Sequence, residues 1–88
     1  MKPMRIPPHA MQNLTDREIV LAEVELTLAA PEAVAVGHYG RDVYMRRYFD
    51  TILGQEMLLR IIVEETTTER VVVTAHKTSQ IRRYLKGV

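Results

Sequence analysis

The chain contains no cysteine, which excludes disulfide staples, thiolate nucleophiles and every cysteine-based zinc site, and fits a reducing compartment. Glycine and proline are scarce, four of each in 88 residues, so collagen-like and low-complexity classes are excluded. No apolar run approaches the roughly 18 residues that span a bilayer. Pro3, Pro7 and Pro8 interrupt the N-terminus where a signal peptide needs a continuous apolar stretch. A soluble, cytoplasmic protein with no membrane partner is therefore expected. The three histidines, His9, His38 and His76, lack close metal-ligand spacing, and no His-Glu-x-x-His, phosphate-binding loop or Gly-x-Gly-x-x-Gly occurs. Neither metal nor cofactor is expected.

What is present is an ordinary globular composition, 47% hydrophobic and 26% charged, and residues 1–88 make room for one small domain. A chain this short buries only about 60% of its unfolded surface, which makes self-association a natural source of further stability. The net charge of +1 is unevenly spread: Arg70, Lys77, Arg82, Arg83 and Lys86 meet no acid from residue 70 onward. That tail is either a phosphate-binding surface or the solvated face of a C-terminal helix.

Pro7-Pro8 predicts an extended entry and a first helix from about Pro8. Thr15-x-x-Glu18 has the form of a capping box, so a helix through Ala30 opens either there or near Ile19 or Val20. Val20, Leu21, Val24 and Leu28 form one apolar stripe of that helix. Ile19, Ala22, Leu26 and Ala29 form a second, which either packs under the first helix or is the interface of a homodimer. Past Pro31 the period changes to that of strands: Ala33–Val36, Val43–Phe49, Met57–Glu64 and Arg70–Lys77. Short connections between the last three imply antiparallel neighbours. Ser79 offers an N-cap for a last helix, Gln80–Leu85, closed by Gly87. The predicted fold is α+β, with two N-terminal helices packed on one face of a four-stranded antiparallel sheet and a short C-terminal helix.

Placing every odd-numbered strand position under the helices gives the least interrupted core. The other face would then gather Tyr44, Arg46, Tyr48, Arg60, Thr74 and His76. Aromatic and basic side chains of this kind can stack bases and grip phosphates. They also suit metal-independent RNA cleavage: His76 can move a proton, Arg60 can stabilise the charged phosphorane, and hydroxyls such as Thr74 can position phosphate oxygens. Half-exposed strands carry such residues for β-propensity alone, which is the competing explanation. His9, Asn13 and Arg17 recur every four residues and share one face of the first helix, as a site or as a polar surface row.

The run Pro8-His9-Ala10-Met11-Gln12-Asn13-Leu14-Thr15-Asp16-Arg17-Glu18-Ile19, with Glu23-Val24-Glu25, Leu28 and Pro31-Glu32, is followed by Gly40-Arg41-Asp42-Val43-Tyr44, Leu59-Arg60-Ile61-Ile62-Val63-Glu64 and the stretch from Val71 to Leu85. In order and spacing these pieces resemble the short bacterial proteins known as domain-of-unknown-function family 4258. That family is similar in plan to the small ribonucleases and toxins of the barnase, EndoU, colicin and RelE (BECR) group. The chain departs from the pattern at Asn13, where the family has Arg; at Glu18, where Gly makes a turn; at the apolar Val20, Leu21 and Leu26; and at His76, where an aromatic residue is common. The resemblance implies a RelE-like ribonuclease toxin of a toxin–antitoxin module, with His9, Arg17, Tyr44, Arg60, Thr74 and Thr78 at matching positions.

The expectation is thus an RNA-binding protein and endoribonuclease. Its catalytic candidates are His9, Arg17, Arg60, Thr74 and His76, and its RNA-binding candidates are Tyr44, Arg46, Tyr48, Lys77, Thr78, Arg82 and Arg83. The expected partners are RNA, ribosome-associated mRNA included, an antitoxin protein and a second copy of the chain through Ile19, Ala22, Leu26 and Ala29. The alternative is a noncatalytic interaction domain that works by self-association.

Overall fold

The computed structural model describes residues 2–86, with His38 described by its backbone only. Pro8 occupies the first turn of α1 (Pro8–Asp16), where its missing N–H would have no partner anyway. α1 stops because Glu18 takes a left-handed backbone, φ 55°. The Glu18 N–H then donates to the Thr15 carbonyl at 3.2 Å and the Ile19 N–H to the Leu14 carbonyl at 2.8 Å. This is a Schellman turn with its apolar clasp, here Ile19 and Leu14 in one buried cluster. Thr15 and Glu18 therefore do not open a helix as a capping box. Thr15 lies inside α1 with its hydroxyl on the Met11 carbonyl at 3.3 Å, and α2 (Leu21–Ala29) begins later.

The turn also reassigns both apolar stripes. Ile19, expected at an interface, is only 6% exposed because it closes the turn into the core. Ala22, Leu26 and Ala29 remain exposed. Of the expected core stripe, Val24 is buried and Leu28 partly so, while Val20 and Leu21 face outward. The position facing the sheet beside Val24 is Thr27, fully buried with its hydroxyl donating to the Glu23 carbonyl at 2.8 Å.

The sheet has five strands and is mixed, in the order β1 (Met4–Arg5), β5 (Arg70–Thr78), β4 (Gln55–Glu65), β3 (Arg41–Asp50), β2 (Ala33–Val36). The expected four strands are present and antiparallel, and β1 adds a fifth, parallel to β5. Two residues between prolines are too short to show a period of two, so β1 leaves no strand pattern in the sequence. α1 packs on β5, and α2 packs on β3 and β4. The last helix is a single turn, α3 (Ile81–Tyr84), with Gln80 rather than Ser79 at its cap; Gly87 lies outside the described residues.

The even positions of β3 lie under the helices, against the expected pattern. The connection from Thr51 to Gly54 sets Asp50 opposite Gln55. Tyr44, Arg46 and Tyr48 consequently stand beside Ile61, Leu59 and Met57 of β4, on the helix side. Asp50 enforces this connection: its Oδ1 accepts the N–H groups of Ile52 at 2.9 Å and Leu53 at 3.1 Å. Gly54, at φ 68°, closes the turn. On the opposite side Met45 and Leu58 are buried beneath Leu85, with Ile81 and Tyr84 packed against them.

Candidate functional site

The sequence-predicted face is divided between the two sides of the sheet. Three of its members lie among helix-side groups that satisfy them. Arg46 is clamped by both oxygens of Glu23, at 3.0 and 3.1 Å, and reaches Thr27 at 3.3 Å. Tyr48 is buried, donates to Asp50 at 3.2 Å, and has its phenol held far above its usual range by burial and the nearby carboxylate. Tyr44 accepts a hydrogen bond from Arg70 at 3.0 Å. Lys77 also lies on the helix side, bound to Asp50 at 2.6 Å and to the Glu18 carbonyl at 3.0 Å. These four side chains, expected to bind RNA, are instead engaged with partners of the fold on the helix side.

Four of the five catalytic candidates are brought together along β5. A bulge opposite Ile62 and Val63 makes Val73 an extra residue, so Thr74 pairs with Ile62 and His76 with Arg60 on the face away from α1 and α2. Thr74 and His76 therefore project from one side of the strand about 7 Å apart. Arg17, at the end of α1, reaches the edge of β5 and donates to Thr74 Oγ1 at 2.9 Å and to the Ala75 carbonyl at 2.6 Å. Asn13, one helical turn earlier, also donates to Thr74 Oγ1, at 3.1 Å. From β4, the Arg60 Nη1 lies 2.8 Å from His76 Nε2. Arginine can only donate, so Nε2 is the acceptor and the imidazole carries its proton on Nδ1.

The Arg60 guanidinium lies over the ring of Tyr84, 4.0 Å from its centroid, and Arg83 approaches the same ring at 5.5 Å. No carboxylate among the described residues forms a salt bridge with Arg60 or Arg17. The Nε of Arg60 is buried without a hydrogen-bond partner. His76 feels this environment: partial burial, then Arg60, then Arg17 lower its pKa from the ordinary 6.5. The result is a neutral imidazole flanked by two guanidinium groups that lack counter-ions, an arrangement that an anion would complete.

The remaining candidates stand apart. His9 is exposed on the first turn of α1, two turns from Arg17, and its side chain forms no hydrogen bond among the described residues. Thr78 is half-buried, and its hydroxyl accepts the Gln80 N–H at 3.0 Å at the start of α3. Arg82 and Arg83 are exposed and border a groove of about 620 Å³ with Arg47, Glu56, Ser79 and Gln80. In this groove Arg47 is neutralised by Glu32 at 2.7 Å, leaving the α3 arginines as its available cations. Asn13 and Tyr84 stand outside the catalytic and RNA-binding candidates read from the sequence. Asn13 shares the helical row of His9 and Arg17, a signal that was present; Tyr84 meets Arg60 only through the return of α3 over the sheet.

Comparison with family models, with curated proteins and with solved structures finds no match for the chain. Among the described residues, no helix is long and apolar enough to cross a membrane, and no group of three His, Asp or Glu side chains is placed to hold a metal ion.

Proposed function

We propose that the protein binds single-stranded RNA at the β5 edge and cuts it without a metal, as a ribonuclease toxin whose antitoxin would cover the same basic face. The observation that carries this reading is the convergence of Arg17 and Arg60, from α1 and β4, on Thr74 and His76. A phosphodiester held between the two guanidinium groups gains charge-assisted hydrogen bonds that water otherwise supplies. Thr74 Oγ, which accepts from Asn13 and Arg17, would donate its proton to a phosphate oxygen, and the exposed Arg82 and Arg83 would add positive charge.

The chemistry follows from the hydrogen bond between Arg60 and His76. While Arg60 occupies Nε2 the imidazole is blocked as a base; a phosphate that draws the guanidinium away frees that lone pair. The imidazole then takes the proton of the ribose 2′-hydroxyl. The 2′-oxygen–phosphorus bond forms as the phosphorus–5′-oxygen bond breaks, giving a 2′,3′-cyclic phosphate and a 5′-hydroxyl whose proton comes from solvent. Arg60 and Arg17 stabilise the charge on the phosphorane.

Fluorescence anisotropy with a single-stranded oligoribonucleotide tests the binding. Affinity should fall linearly with salt on logarithmic axes, and Arg17→Gln and Arg60→Gln should each flatten that slope and weaken binding roughly tenfold. In EDTA the wild type should yield cyclic-phosphate ends, and His76→Asn should bind without cutting. Salt-independent binding, or no binding at low salt, removes the reading.

A further inference from the structure

The two edges of the sheet are protected unequally. β1 is two residues long, follows Pro3, precedes Pro7-Pro8, and is tied down by Lys2 to Glu65 and Arg5 to Glu69, both at 3.1 Å. Beyond it, the outer edge of β5 meets α1, with Arg17 on the Ala75 carbonyl. β2, at the other end, is likewise preceded by a proline and a paired charge, Pro31 and Glu32 with Arg47 at 2.7 Å, but no strand among the described residues pairs with its outer edge. Ala33–Val36 carries no charge and no proline, pairs with β3 without a bulge, and has Val34 48% and Val36 89% exposed. The Gly37 N–H donates to the Arg41 carbonyl. Hydrogen bonding in an antiparallel pair alternates along the strand, so Ala33, Ala35 and Gly37 turn their main-chain groups toward β3, and Val34 and Val36 turn theirs outward. An uncovered edge of this kind is a template for another strand.

We propose that β2 pairs with β2 of a second copy, antiparallel about a two-fold axis at Ala35, joining two five-stranded sheets into one of ten. The outward main-chain groups fix the register: Val34 faces Val36 of the second copy and Val36 faces its Val34, exchanging four backbone hydrogen bonds. A two-fold axis sets each side chain near its own copy or its mirror position, so any charge on the strand would meet like charge; this strand has none. At the axis Ala35 meets Ala35, and a methyl group permits the close approach of a pair that is not hydrogen-bonded. The valines form β-branched cross-strand pairs on the helix side, the side on which Leu26 is also exposed. The contact is isologous and closes on itself, leaving β1 as the outer edge at both ends. Four residues per copy bury less than a standard interface, so a weak dimer is expected, with Kd on the order of 100 µM.

The lack of native cysteine allows a register-specific test. Ala35→Cys would put two thiols on Cα atoms about 4.5 Å apart across the axis, within disulfide range. Sedimentation of the full chain should show concentration-dependent dimerisation of the wild type, and a folded monomer for Val36→Lys with unchanged thermal stability. Under mild oxidation Ala35→Cys should crosslink much faster than Leu26→Cys. A wild type still monomeric at about ten times the expected Kd overturns the proposal. So does a dimer indifferent to Val36→Lys, or one in which Leu26→Cys crosslinks as fast as Ala35→Cys.

Discussion

Two arginines on opposite faces of the sheet, Arg46 and Arg60, are held differently. On the face covered by α1 and α2, Arg46 and Lys77 are each matched by a carboxylate, Glu23 and Asp50, inside a cluster of eleven buried apolar residues. On the opposite face only Met45, Leu58 and Leu85 are buried together, and Arg60 has an imidazole and an aromatic ring in place of a carboxylate. The contrast belongs to these residues and not to whole faces: Arg70, on the helix side, bonds Tyr44 and forms no salt bridge among the described residues, while Arg47, on the opposite side, is paired with Glu32. On the proposed reading the charge of Arg60 is left for a ligand to neutralise.

The largest effect that would sharpen this division is expected from core deletions on the two sides. Ile61→Ala, beneath the helices, should cost about 3–4 kcal/mol in denaturant unfolding. Leu85→Ala, beside a one-turn helix near the end of the described chain, should cost less than half as much, because that segment can open locally. Equal costs would mean that the two clusters act as one core.

The arginines give the next contrast. Arg46→Met leaves Glu23 half-buried without its partner and should cost about 1–2 kcal/mol. Arg60→Met removes a side chain that includes an unpartnered buried nitrogen, so stability should change by less than about 0.5 kcal/mol or rise. A large loss from Arg60→Met would show that Arg60 is structural.

Acidification separates the faces by pH. The folded state holds His76 below 6.5, so the unfolded chain binds the proton first, and stability begins to fall as pH drops below about 6.5. Asp50, held at about 2 chiefly by its hydrogen bond to Lys77, contributes stability that is complete above about pH 4 and is lost as pH falls from there through its folded value. In urea melts against pH, His76→Gln should remove the upper limb and leave the lower one. A profile unchanged by that substitution contradicts the assignment.

The smallest effect lies at the joint between α1 and α2. Glu18 holds a left-handed backbone that glycine adopts without strain, so Glu18→Gly should stabilise the protein by up to about 1 kcal/mol while keeping the backbone carbonyl that binds Lys77. A destabilisation of that size would mean that the Glu18 side chain carries a contact beyond its backbone.

Much of this architecture was legible in the chain. Pro8 marked α1, the change of period after Pro31 marked the strands, and the row of His9, Asn13 and Arg17 held two residues that reach β5. Thr15-x-x-Glu18 satisfies the capping-box pattern without opening a helix; the other alternative, a second helix from near Ile19 or Val20, is the one found, with Val20 at the cap of α2. The face of β3 was misread because period-two patterns fix faces within a strand, while the turn held by Asp50 fixes parity between strands. The Val73 bulge and the return of Tyr84 over Arg60 depend on long-range packing that no local pattern records.

NMR titration of the His76 imidazole tests most directly whether the face carrying Arg60 and His76 binds an anion, as proposed. In the free protein its pKa should lie below 6.5, held down by burial and the two guanidinium groups. Saturation with a short oligoribonucleotide carrying a non-reactive 2′-methoxy group at each ribose should raise that pKa, because phosphate offsets both charges. A pKa that does not move on saturation contradicts the account.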